Sequence, residues 1–149
     1  MTSDSRSTGA FSDVEKEAMR ARAEEVRAEK AAGKGARRRA ADEKKLDDAI
    51  EAMPAPDREL ARRVHEIVSV VAPELDPRTH YGMPAWARDG KVLCFLQVPS
   101  KYQSRYATLG FEDVAALDEE PLWPTAFAIT AIDDEVAERL AALVRRAAG

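Results

Sequence analysis

Apolar residues recur at helical spacing in three places along the chain. Leu46, Ala49, Ile50 and Met53 fall at i, i+3, i+4 and i+7 and predict one face of a short helix that Pro54 stops. Leu60, Val64, Ile67 and Val71 form a second stripe, widened by Ala61 and Val68. Pro56 can open that helix and Pro73 ends it. Val136, Leu140, Leu143 and Ala147 give a third, with Asp133 as its N-cap and Arg145 and Arg146 complementing its C-terminal dipole. Between the second and third stripes the period changes to two. Thr79–Arg88 and Lys91–Val98 read as strands around Asp89-Gly90, a strong hairpin signal because both turn positions tolerate positive φ. Pro99-Ser100-Lys101 connects to a third strand over Tyr102–Leu109. A fourth covers Thr125–Ile132, after a loop or short helix over Phe111–Leu117. In the second strand Val92, Cys94, Leu96 and Val98 share one face, and Leu93, Phe95 and Gln97 share the other with Lys91. A strand apolar on both sides asks for a cover on each: helices on one, and on the other the N-terminal helix, a second subunit or a ligand. The order of elements predicts an α+β fold, a two-layer sandwich with a mainly antiparallel four-stranded sheet, helices on one face and an extra N-terminal helix.

The first part of the chain is built differently. Residues 1–10 have no apolar anchor and read as a disordered tail. Ser12 with Glu15 matches a capping box, and the Ala-, Glu-, Arg- and Lys-rich run to about Ala32 predicts a helix. Its apolar stripe is thin, with Val14, Met19 and Val26 as the sizeable members. Gly33-Lys34-Gly35 breaks the pattern, and Arg37-Arg38-Arg39 follows as part of a linker. The expected division is a tail over 1–10, a charged helix and basic linker over 11–41, and a folded domain over 42–149. A basic cluster can bind phosphate or nucleic acid, but a solvated linker has the same composition, and nothing aromatic is interleaved with the arginines.

Charge alters the picture modestly. Residues 1–45 carry 12 Lys and Arg against 9 Asp and Glu, whereas residues 46–149 carry 11 against 18. An acidic body argues against nucleic-acid binding, since phosphates demand a basic face, and is compatible with hard cations. No apolar run approaches a membrane span, and Met1–Ala10 lacks the apolar core of a secretory signal. The single Cys94 rules out an internal disulfide and fits a reducing compartment. The expectation is a cytoplasmic protein with no nucleic-acid and no membrane partner.

Candidate chemistry gathers around Tyr81-Gly82-Met83-Pro84-Ala85-Trp86. His80 and Tyr81 fall on opposite faces of the first strand if alternation holds. Gly82 marks a place where something approaches the backbone closely, and Pro84 suggests an edge or a bend. One reading makes Tyr81, Met83 and Trp86 the lip of a pocket with His80, Tyr106 and Trp123; the other makes the segment a kinked strand that packs its aromatics, because pockets and cores use the same residues. His65, His80 and Cys94 match no compact metal spacing, and a central-strand Cys94 is most simply a buried hydrophobe. Among the acidic clusters, Asp47, Asp48 and Glu51 project together from one helix side, a ridge that can hold a hard cation or merely solvate the surface. No nucleophile elbow, Walker loop or dinucleotide fingerprint is present, so no catalytic residues are assigned.

Two proline-bounded helices, Ala72-Pro73-Glu74, Tyr81-Gly82-Met83-Pro84-Ala85-Trp86 and a Gly90-Lys91 strand together resemble the YdhG-like family of unknown function, over roughly residues 42–147. Arg105–Phe111 and Trp123–Phe127 resemble one branch of that family, in which the extra N-terminal helix also occurs. The resemblance implies a compact α/β sandwich similar in shape to frataxin. It also implies an iron-chaperone role in iron–sulfur or haem metabolism, with iron as cofactor and iron–sulfur assembly proteins as partners. Two other roles stand beside it: a small-molecule or peptide binder using an aromatic-lined sheet face, and an interaction module working through the N-terminal helix and Arg37–Arg39. A homodimer would cover the second sheet face.

Overall fold

The computed structural model describes residues 12–149, so the tail expected over 1–10 lies outside the described residues. The chain divides into two compact units, one ending at Arg38 and the other spanning Arg39–Gly149. The elements are α1 (Asp13–Glu51), α2 (Ala55–Val71), β1 (Asp76–His80), β2 (Met83–Arg88), β3 (Lys91–Gln97), α3 (Pro99–Tyr102), β4 (Ala107–Phe111), β5 (Ala126–Ile129) and α4 (Asp134–Ala148). None of these helices is long and apolar enough to cross a membrane.

Helix α1 starts where the capping pattern places it, with the Glu15 N–H donating to Ser12 Oγ at 3.2 Å. The break expected at Gly33-Lys34-Gly35 does not occur. Each glycine costs a helix about 1 kcal/mol relative to alanine, and the strong helix formers on both sides outweigh that. Neither glycine takes the positive φ that would end the helix. Arg37, Arg38 and Arg39 therefore belong to a helical surface rather than a linker. Arg39 is structural: its guanidinium reaches Asp76 Oδ1 at 2.7 Å and the Pro73 carbonyl at 2.9 Å, tying the part of α1 that belongs to the second unit to the start of β1.

The second unit is α+β, with a five-stranded antiparallel sheet in the order β1-β2-β3-β4-β5. Trp86, Cys94, Leu96, Leu109 and Ile129 face one side of it. There they form a single core with Leu46 and Ile50 of α1, Ala61, Val64 and Val68 of α2, and Leu140 and Val144 of α4. Pro54, extended at ψ 152°, separates α1 from α2. Asp133 caps α4 by accepting the Val136 N–H at 2.9 Å.

The fifth strand comes from splitting the first expected one. Thr79–Arg88 is two strands, because Tyr81 and Gly82 both take positive φ, 51° and 77°, and His80 pairs with Met83 across them. This is the same two-residue hairpin geometry as Asp89-Gly90, where φ is 51° and 80° and Arg88 pairs with Lys91. Two further boundaries shift. Pro99–Tyr102 is a helical turn, so the next strand starts at Ala107 rather than Tyr102. Phe111–Leu117 holds no helix.

The two-sided strand also resolves. Trp86 pairs with Cys94 and Ala87 with Val92, which leaves Leu93 as the extra residue of a β-bulge. The bulge turns Leu93 into the core, where it is fully buried, although strict alternation puts it on the outer face. The outer face that remains asks little of a cover. One register row across it reads Arg78, Ala85, Phe95, Gly110, Ala126, and the next holds Gln97, Thr108 and Ala128. Phe95 lies across Gly110, and a Cβ built there would stand 2.3 Å from Phe95 Cζ.

Candidate functional site

The chain places a recess at the end of the sheet where the β1–β2 turn, the β3 exit and the last turn of α1 converge. Its walls come from Ala49 and Met53, Met83 and Pro84 of β2, Leu96 of β3 and Val98 just after it, and its volume is about 230 Å³. Helix α3 forms the rim. It is a single turn, opened by Pro99 after extended Val98 and closed by Gln103 in the left-handed region at φ 51°. Such a turn needs an anchor, and Asp57 in the first turn of α2 supplies one. Among the described residues it is the one buried charged side chain, 7% exposed, and it accepts both the Ser100 N–H at 3.2 Å and the Ser100 hydroxyl.

This anchor delivers Lys101 to the mouth. Lys101 Nζ donates to the Tyr81 carbonyl at 3.2 Å and stands 5.8 Å from the centroid of the Tyr102 ring. Gly82 makes room for it: a Cβ there would lie 2.5 Å from Nζ. The close approach that Gly82 signals is thus made by the protein's own lysine. An ammonium has three donors, and one goes to Tyr81, so two remain for a ligand. Apolar walls with one cation at the mouth can hold a compact apolar molecule that carries a negative end.

The six residues expected to share a pocket do not converge. Met83 lines the recess, and its neighbour Tyr81 contributes only a carbonyl at the rim. The Tyr81 ring is 84% exposed and meets His80 edge-on at 4.5 Å. Strand alternation would set His80 and Tyr81 on opposite faces. The turn at Tyr81 instead brings its ring back against His80, beside an open trough over the outer face that also takes in Arg78, Lys91, Glu112 and Asp113. Trp86 is 1% exposed on the inner face and belongs to the core. Trp123 packs against that core from its edge, and half-buried Tyr106 carries the Arg105 guanidinium 5.2 Å from its ring centroid.

Trp86 has a partner that no local pattern announces. Its indole N–H donates to His65 Nδ1 at 3.2 Å, and His65 Nε2 faces Glu43 Oε2 at 3.3 Å. Indole nitrogen can only donate, so Nδ1 must accept and the neutral ring carries its proton on Nε2. That proton points at Glu43, which removes Nε2 as a metal ligand. The acidic ridge is likewise engaged. Asp47 stands 3.9 Å from the same Nε2, Asp48 pairs with Lys44 at 3.0 Å, and Glu51 pairs with Arg62. Among the described residues no group of three His, Cys, Asp or Glu side chains comes together to hold a metal ion.

Cys94 is fully buried, and desolvation pushes its thiol from 9.0 up to about 12. It is a core residue rather than a nucleophile. Two results are expected. A disulfide reagent at pH 8 labels it only as fast as the protein unfolds. Because burial raises the folded value, the stability it contributes is complete below about pH 9 and is lost as pH rises toward about 12. Labelling at the rate of a free thiol in the folded protein contradicts this placement.

The second unit is therefore a two-layer α+β domain, a five-stranded meander backed by helices, with a single-cation recess at one end of its sheet. No family model, curated protein or solved structure matches the chain.

Proposed function

We propose that the folded unit is a non-catalytic binding module that takes a small apolar carboxylate in the recess beneath Lys101. The observation that carries this reading is the pairing of an apolar cavity with one ammonium held at its mouth by a backbone carbonyl. Three groups that could do chemistry elsewhere are committed: His65 to Trp86 and Glu43, Asp57 to Ser100, and Cys94 to the core. The iron-chaperone role implied by the family resemblance has no comparable arrangement among the described residues in its favour, since Asp48 and Glu51 face cations and Asp47 faces His65.

Size limits the ligand. Benzene occupies a cavity of about 150 Å³, so 230 Å³ suits on the order of nine non-hydrogen atoms. Hexanoate is a fitting probe and hexanol its uncharged counterpart. Methyl NMR of Met83 is expected to shift with both, with hexanoate about tenfold tighter, the low end of what a charge-assisted contact at an exposed mouth supplies. Lys101→Ala should abolish the preference for the acid and keep the affinity for the alcohol. Ala49→Leu should block both. A Met83 methyl that responds to neither probe defeats the proposal.

A further inference from the structure

The continuity of α1 turns composition into a surface. Between Arg20 and Arg38, at 100° per residue, six cations (Arg20, Arg27, Lys30, Lys34, Arg37 and Arg38) project within an arc of about 100°, and all six are exposed. No acidic residue between Asp13 and Arg38 falls in that arc; Glu17, Glu24, Glu25 and Glu29 occupy other sides of the helix. Arg22, which lies off the arc, is paired with Glu25 at 3.2 Å and Glu29 at 3.6 Å. Among the described residues none of the six arc cations has a carboxylate within ion-pair distance. The stripe is about 27 Å long at 1.5 Å per residue.

We propose that this face of α1 binds the phosphate backbone of a double-stranded nucleic acid, without base specificity. The stripe's length is most of one duplex turn of about 34 Å. Four of its six cations are arginines, whose forked donors match phosphate oxygens. Other polyanions fit it less well. Adsorption on a lipid surface draws on buried apolar area, and between Asp13 and Arg38 the bulky apolar residues are only Val14, Met19 and Val26. Single strands are held by stacking on aromatic rings, and α1 contains none. The expectation against a nucleic-acid partner rests on charge summed over whole regions, which averages away the segregation around one helix. Residues 39–149 carry 14 Lys and Arg against 20 Asp and Glu, so that unit repels phosphate and confines contact to the stripe.

The test is fluorescence anisotropy of the full chain with a labelled 20-base-pair duplex of mixed sequence, from 20 to 150 mM KCl. Affinity is expected at the non-specific level, a Kd on the order of 10⁻⁵ M, falling with salt at a log–log slope of about −4 to −5. Lys30→Gln, Lys34→Gln and Arg38→Gln together should weaken binding at least tenfold and flatten the slope by about 2 to 3, with helix content by circular dichroism unchanged. Arg22→Gln should stay within twofold of the parent. Absence of binding at 20 mM KCl overturns the proposal. So does an equal loss from Arg22→Gln, or adsorption to phosphatidylserine vesicles with none to the duplex.

Discussion

Trp86→Ala is expected to destabilise the folded unit by about 4 kcal/mol and to lower its Tm by roughly 15 °C. Trp86 is the largest fully buried side chain, and it sits on β2 in the core shared with Leu46 and with α2. Truncation removes its buried area and leaves a cavity that a five-stranded sheet and its helices cannot fully close. It also strips His65 Nδ1 of its donor. The two losses separate by substitution. Trp86→Phe keeps most of the volume but leaves Nδ1 unpaired in a nearly buried site, a cost of about 1–3 kcal/mol. Adding His65→Leu removes the orphaned acceptor and should recover part of that cost, since replacing both partners of a buried hydrogen bond by apolar groups is close to neutral. Chemical denaturation of the parent and the three variants measures this directly. A Trp86→Ala protein within about 1 kcal/mol of the parent would mean that Trp86 is not the centre of the core, and would restore the pocket-lip reading of that residue.

The same tryptophan shows where sequence reasoning reaches and where it stops. Burial of the inner face follows from periodicity, because Leu46, Val64 and Leu140 each sit on a clean helical stripe. Pairing Trp86 with a core rather than a ligand does not follow, because cavities and cores are lined by the same side chains. Its hydrogen bond spans 21 residues to His65, and nothing local specifies a contact at that separation. Turns divide the same way. Asp89-Gly90 is legible because aspartate tolerates positive φ by bonding its own backbone. Tyr81-Gly82 makes the same turn but hides inside an apolar run, where its glycine is the one visible signal.

The recess is half legible for a related reason. Met83 stands among the candidates because it belongs to an unusual apolar segment. Lys101 does not, because a long flexible side chain goes where tertiary structure leaves room, here over a glycine far earlier in the chain. Asp57 and Ser100, which hold its turn in place, are 43 residues apart. Pro99 at the first position of a helix is the available sign that the segment after β3 is not a strand. In α1 the error runs the other way. Local glycines argue for a stop, while the helix formers around them carry the chain through and assemble the basic stripe.

Gly110→Val is expected to destabilise the folded unit by about 2–3 kcal/mol, although valine is among the best strand residues and glycine among the poorest. The sign follows from Phe95. Its ring occupies the space above Gly110, so that a Cβ would stand 2.3 Å from Cζ and 2.8 Å from both Cε atoms. The obstacle is the far end of an aromatic ring that is itself half-buried on the outer sheet face, so the ring must leave its position and expose apolar surface as it goes. Phe95→Ala alone should cost about 1–2 kcal/mol through lost burial and a bare glycine backbone. The double variant, measured by chemical denaturation beside the two single ones, should cost clearly less than the sum. With the ring gone, the three atoms nearest the introduced Cβ are removed and valine brings its own strand preference, so the coupling energy is expected at about 2 kcal/mol in favour of the pair. Additivity within about 0.5 kcal/mol would show that the ring and the glycine are independent, and that the outer face is held together by something other than this stacking of an aromatic ring on a backbone kept bare for it.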